Sequence, residues 1–260
     1  MTILSFENLL SEVKKRNLAI FQIAQEEESL LKETSVKQIR NEAKKTLDAM
    51  KNAIKNGLVS SEKSVSNWCG DDAVKLVDRY KKQGAILGPV FEKITKYSLA
   101  TAEENLRMGR IVACPTAGSC GIVPSVLISV AEEKNISEEK QIDALLTAGI
   151  VGLIISYKVR LAGAVAGCQA ECGVASAMAA AALAEMLGAS AEEIIQAVAL
   201  ALKNILGEEY SITKTRGQWV EKDGIKYMPT FHPAALLRDE TKKIAFWNDL
   251  KTVNQFFIQK

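Results

Sequence analysis

Hydrophobic positions recur every three to four residues through most of this chain, a period that predicts helices. Ile39, Ala43, Leu47, Met50 and Ile54 share one helical face after Ser35-Val-Lys-Gln38, which has capping-box spacing. Gly57 is then expected to stop that helix. The stretch Glu103 to Arg110 is polar, and the scattered Lys and Arg residues read as solvated helix faces. From Ile111 the chain shifts abruptly toward Ala, Gly, Ile, Leu and Val. Pro124 lies early in the run Ile122 to Ala131, where the first turn of a helix tolerates it. Ser137, followed by Glu138 and Glu139, predicts another N-terminus with acids near the positive helix end. Leu145 to Tyr157 is uncharged but too short to span a bilayer, so it predicts a buried helix. Ala162 to Leu187 is rich enough in Ala and Gly for neighbouring helices to approach closely. Ser190-Ala-Glu-Glu193 is a second capping box, opening a helix toward Asn204.

After Gly207 the pattern changes. Ser211 to Thr230 carries Thr, Trp, Val, Ile and Tyr around Asp223-Gly224, a favoured hairpin turn. His232-Pro233 then leads into a charged amphipathic helix, Ala234 to about Phe257. The expected fold is mainly all-α, a helical body with Ala/Gly-rich central helices. A short β-hairpin-and-helix tail of α/β origin follows it. The boundary near Gly207 divides the chain into residues 1–206 and 207–260.

Composition narrows the class without naming a function. The chain has 260 residues, 48% hydrophobic and 25% charged, as an ordinary globular protein has. A net charge of +2 with mixed signs offers no argument for nucleic acid or a membrane surface. Met1-Thr-Ile-Leu-Ser-Phe-Glu lacks the layout of a signal peptide. Five cysteines in that context point to a reducing cytoplasm, and to metal or redox chemistry before disulfides.

Four of those cysteines fall in two small-residue segments: Cys114-Pro-Thr-Ala-Gly-Ser-Cys120-Gly121 and Gly167-Cys168-Gln-Ala-Glu-Cys172-Gly173. The first reads as a turn entering a helix, where amides and the hydroxyls of Thr116 and Ser119 suit a carboxylate. An ordinary tight connection fits the same residues. In the second, Cys168 and Cys172 would share a helix face and contribute to a metal site, though two thiols do not complete one. Glu171 could orient a neighbouring group as an acceptor. Cys69, in Trp68-Cys-Gly-Asp-Asp72, reads as incidental, and His232 is the single histidine. Neither a phosphate-binding loop nor a dinucleotide fingerprint is present.

On Gly109-Arg-Ile-Val-Ala-Cys-Pro-Thr-Ala-Gly-Ser-Cys-Gly121, Ala166-Gly-Cys-Gln-Ala-Glu-Cys-Gly173 and Ala201-Leu-Lys-Asn-Ile-Leu-Gly207, residues 1–206 resemble the α chain of the iron–sulfur L-serine dehydratases, or L-serine ammonia-lyases. The resemblance implies a helical catalytic chain in a hetero-oligomer with a separate β chain. It also implies a [4Fe–4S] cluster whose open iron acts as a Lewis acid, turning L-serine into pyruvate and ammonia. By position Cys168 corresponds to a cluster ligand, with Cys172 and Cys120 weaker candidates; Thr116, Gly118 and Ser119 fall beside the substrate. No catalytic base is implied by any one residue.

The chain departs from that family after Gly207. The resemblance implies Cys-Asp-Pro-x-x-Gly and Glu-Val-Pro-Cys segments with two more cluster cysteines. Here the sequence reads Glu208-Glu-Tyr-Ser-Ile-Thr-Lys-Thr-Arg-Gly217, and no cysteine follows Cys172. The ligand set is therefore incomplete, and cluster loss is expected ahead of a site rebuilt on Cys172, Cys114 or Cys120. Ser211-Ile-Thr-Lys-Thr-Arg-Gly217 and Met228-Pro-Thr-Phe-His-Pro-Ala-Ala-Leu-Leu-Arg238 instead resemble the end of an iron–sulfur uracil-DNA glycosylase. That resemblance implies a base-contacting role for His232 and a DNA-entering loop at Leu236 and Leu237. The glycosylase's own pocket and cluster segments are missing, so no glycosylase activity is expected. Three readings stand: an ammonia-lyase α chain, a nucleic-acid-binding protein resting on the tail, and a fusion product without catalysis.

Overall fold

A computed structural model describes residues 3–84, 87–158, 168–206, 220–222, 225–227 and 241–258. Its body is helical. Helices α1 (Phe6–Arg16), α2 (Ile20–Leu31), α3 (Val36–Val59), α4 (Asp72–Gln83) and α5 (Pro89–Leu106) come first. A three-residue 3-10 turn (Ala117–Ser119) precedes α6 (Ile122–Glu133), α7 (Glu138–Ser156), α8 (Cys168–Met186) and α9 (Ala191–Leu206). Strands β1 (Val220–Lys222) and β2 (Ile225–Tyr227) pair antiparallel, and α10 (Lys242–Ile258) ends the described chain. The register sets Lys222 opposite Ile225 and Val220 opposite Tyr227, flanking the Asp223-Gly224 pair as the hairpin pattern predicts. The predicted tail helix is described from Lys242 onward; its earlier part lies outside the described residues. Among the described residues no helix is long and apolar enough to cross a membrane.

Local signals explain most helix starts. Ser35 Oγ accepts from the Gln38 amide at 3.2 Å, but the Gln38 side chain donates to Glu42 and does not complete the box. Ser190 and Glu193 form both halves of theirs: Ser190 N donates to Glu193 Oε2 at 2.7 Å, and Glu193 N to Ser190 Oγ at 3.3 Å. Ser137 caps α7, with Glu138 and Glu139 in its first turn. Helix α4 is capped from elsewhere in the fold. Asp71 holds a left-handed conformation (φ 65°) and makes no side-chain cap. Glu103 of α5 supplies one: its carboxylate accepts from Asp72 N at 2.7 Å and Ala73 N at 3.4 Å. The reading of the Lys and Arg residues as solvated helix faces does not hold at Arg107. Glu103 and the Arg107 side chain are almost fully buried, and Arg107 donates to the Glu62 carbonyl at 3.3 Å.

The core sits where α8 packs against α6, α7 and α9. The α8 side contributes Val174, Ala175, Ala177, Ala181, Ala182 and Met186, all buried. Larger partners such as Leu127, Val151, Ile154 and Ile194 fill the space between. Each fully buried Leu or Ile contributes about 1.5–3 kcal/mol. Arg40 ties α3 across to α7 through Glu139 at 2.6 Å and Asp143 at 2.8 Å, and to Gln25 of α2 at 3.2 Å.

Gly57 does not end α3, which runs on to Val59. The glycine is required by the crossing of α3 with α5: a Cβ there would stand 2.1 Å from the Ala100 carbonyl oxygen. A helix-interior Gly→Ala change normally gains about 1 kcal/mol. At Gly57 the methyl meets backbone, so overpacking at the upper end of about 1–3 kcal/mol should outweigh that gain. Gly57→Ala is therefore expected to lower stability by a net of about 2 kcal/mol. A urea midpoint that stays level or rises would show that the two helices are not held this close.

Candidate functional site

The segment Cys114–Gly121 is a braced turn between α5 and α8. It begins with a cis Cys114–Pro115 bond. Ser119 is buried, and its Oγ donates to the Cys114 carbonyl at 3.3 Å while sharing a 3.1 Å contact with Thr116 Oγ1. From α5, Asn105 Nδ2 donates to the Ala117 carbonyl at 3.2 Å. Cys120 Sγ points at the Thr101 carbonyl, 4.0 Å away. These contacts leave Ala117 and Gly118 exposed at the apex, with Thr116 partly exposed beside them. Of the predicted anion-binding groups, the hydroxyl of Ser119 is thus spent on the turn itself and that of Thr116 is paired with it, whereas Gly118 is exposed.

The second cysteine segment meets this turn. Cys168 opens α8 and Cys172 follows one turn later, half-buried. Between them Glu171, only 8% exposed, lays its carboxylate over Gly118. A Cβ at Gly118 would stand 2.9 Å from Glu171 Oε2. Sequence reasoning placed Glu171 only as a possible acceptor, because helix spacing says nothing about a partner so distant in the chain. On the other side of Pro115 lies a cavity of about 420 Å³ between α2 and α7, with Leu31, Leu146, Ile150 and Met178 in its wall. The predicted tail residues His232, Leu236 and Leu237 lie outside the described residues.

Soft metal clusters are held by thiolates. Burial pushes the Cys114 thiol up to about 12, with the Cys120 sulfur adding to the shift, and burial pushes Cys120 up to about 11. Both therefore stay protonated at neutral pH. Cys114 donates weakly to the Val112 and Cys120 carbonyls. Among the described residues no three His, Cys, Asp or Glu side chains converge as a metal site. The described donors do not fit a [4Fe–4S] cluster, and the buried pair behaves as small apolar core groups.

These thiols carry an alkaline signature. An unfolded chain releases their protons near pH 9, while the folded chain keeps them until about 11 and 12. The unfolded state then binds fewer protons, so stability falls as pH rises through this window. Replacing both Cys114 and Cys120 by Ala should flatten that part of the profile, measured by denaturation midpoints at pH 8 to 11. At pH 8, iodoacetamide should label exposed Cys69 and leave Cys114 and Cys120 unmodified until denaturant is added. Equal labelling of all three would contradict the burial.

Comparison with known proteins bears on the same segments. The family pattern described as serine dehydratase alpha chain matches residues 15–208, which takes in both the turn and α8. A probable L-serine dehydratase alpha chain of Bacillus subtilis is 36% identical over 201 residues, covering 77% of this chain and 67% of the relative. The L-serine dehydratase alpha chain of Peptoniphilus asaccharolyticus is 35% identical over 200 residues, 76% of this chain and 68% of the relative. An L-serine dehydratase of Helicobacter pylori is 40% identical over 120 residues, 45% of this chain and 26% of that protein. A helical body with this turn seated against α8, matched over these residues, belongs to the serine dehydratase alpha chain family.

Proposed function

We propose that this chain is the α subunit of an L-serine dehydratase, acting with a β chain to convert L-serine to pyruvate and ammonia. The observation that carries the reading is the meeting of the two family segments at Gly118 and Glu171, within the span matched by the family. Thr116, Gly118 and Ser119 supply the substrate-binding turn. The exposed apex amides suit the serine carboxylate, the Thr116 hydroxyl turns to it from Ser119 Oγ when substrate binds, and buried Ser119 keeps the turn in shape. Elimination then needs a proton to leave Cα and hydroxide to leave Cβ, giving aminoacrylate. That product tautomerises to an imine, which hydrolyses to pyruvate and ammonia.

The same reading gives Cys168 to a [4Fe–4S] cluster whose remaining ligands are not among the described donors of this chain. It also treats residues 207–260 as a segment of separate origin. The family match ending at residue 208 and the change from long helices to a hairpin support that boundary.

The test is anaerobic reconstitution with iron and sulfide, with and without the β chain of an L-serine dehydratase. Alone, the chain is expected to retain substoichiometric iron. With the β chain, L-serine should yield pyruvate and ammonia in equal amounts, and Thr116→Ala should raise KM about tenfold, as loss of a hydrogen bond to a charged group implies. Absence of pyruvate in the two-chain mixture overturns the reading.

A further inference from the structure

Helix α5 lays one face along the candidate turn. Ser98, Thr101 and Asn105 recur on it at helical spacing, and each meets a different point of the turn. A Cβ at Gly121 would stand 2.7 Å from the Ser98 carbonyl oxygen, so the two backbones touch there. Cys120 Sγ faces the Thr101 carbonyl at 4.0 Å. Of the three, Asn105 reaches the apex, where its Nδ2 donates to the Ala117 carbonyl at 3.2 Å. The same oxygen accepts from Cys120 N at 3.4 Å, so both of its lone pairs are engaged. A trans peptide is planar, with its C=O and N–H on opposite edges. Pinning the Ala117 oxygen toward α5 therefore turns the Gly118 N–H away from that helix. Ala117 and Gly118 are both exposed, and no acceptor among the described residues takes this N–H.

We infer that Asn105 is a positioning residue: by holding the Ala117 carbonyl, it aims the Gly118 N–H at the carboxylate of the substrate. The inference rests on the proposed dehydratase reading and adds to it a residue outside both cysteine segments. Two observations carry it separately. The first is the hydrogen bond itself, which fixes the plane of the peptide and polarises it, making its N–H a stronger donor. The second is the division of labour along α5. Glu103 and Arg107 are spent on the α4 amides and the Glu62 carbonyl, so they hold the helix in the fold. The Asn105 side chain takes no part in that network, and among the described residues its partner is the Ala117 carbonyl. The turn also has supports of its own. The approach of Gly121 to Ser98 holds one end, and the bond from Ser119 Oγ to the Cys114 carbonyl closes the other. What Asn105 adds is the direction of one amide.

The test is steady-state kinetics of the two-chain enzyme on L-serine, with urea midpoints measured alongside. Asn105→Ala should raise KM about tenfold, the scale of one hydrogen bond to a charged group, and leave kcat within about twofold. That split follows because the substrate carboxylate is held equally before and during elimination. Asn105→Asp is the same size but cannot donate, so it should raise KM at least as far. Asn105→Gln keeps the donor and should return KM to within about threefold of the wild type. Urea midpoints of all three variants should match the wild type, since the ends of the turn are held elsewhere. An unchanged KM in Asn105→Ala and Asn105→Asp, a fall in kcat in its place, or an Asn105→Gln no better than Asn105→Ala overturns the positioning role. So does a lowered midpoint in both Asn105→Ala and Asn105→Asp, which would make Asn105 a support of the fold. Each of these leaves the dehydratase reading standing, because the wild type still turns over L-serine. A wild type that yields no pyruvate overturns that reading and the Asn105 role with it.

Discussion

The stretch of α5 from Ala100 to Asn105 fixes the position of almost everything around the candidate site. Within two helical turns it presents four different contacts. The Ala100 backbone lies under Gly57 and sets the crossing with α3. The Thr101 carbonyl faces the Cys120 sulfur. Glu103 caps α4, and Asn105 holds the Ala117 carbonyl of the turn. A helix is rigid along its length, so these contacts share one register. A shift at the Gly57 crossing would carry through to the turn that the proposed substrate meets. The positioning of the site thus depends on a packing contact outside it, much as supporting residues determine geometry in other sites.

Electrostatics follow from the same arrangement. Glu103 and Arg107 are charges that a protein rarely buries without partners. Here each satisfies backbone: Glu103 takes orphan amides at the start of α4, and Arg107 reaches the Glu62 carbonyl. The ion pair between them, 3.6 Å apart, is the lesser part of the arrangement. Close to the turn the pattern changes, because the two cysteines there are kept neutral while Glu171 brings an acid group.

Much of the fold was legible in the sequence where the signal was local. The caps at Ser35, Ser137 and Ser190, the buried helix containing Leu145 to Ser156, and the strands beside Asp223-Gly224 all rest on residues within a few positions of one another. The failures share a cause. Gly57 carries the same letter whether it ends a helix or admits another helix against it, and only Ala100 decides between them. Glu103 and Arg107 sit in a polar run, and burial by α4 and the Glu62 loop cannot be seen from their own periodicity. The turn and the start of α8 were each singled out by their residue types. That Glu171, and not a cysteine, lies over Gly118 is a tertiary fact with no counterpart in spacing.

The alanine face of α8 limits how this protein can change over time. Alanine surrenders no rotamer freedom when buried, so the face forms at little entropic cost. Each contact it makes is correspondingly small, and the adhesion of α8 to α6, α7 and α9 comes from how near the backbones lie. At Ala175, Ala177, Ala181 and Ala182, all buried, nearly every replacement is larger than what it replaces. Enlarging one would wedge the helices apart, and removing the methyl would loosen them. Neutral drift in this part of the chain is therefore squeezed from both sides. The same helix carries Glu171 at its start, so the sequence freedom lost in the core keeps that carboxylate in register with the turn.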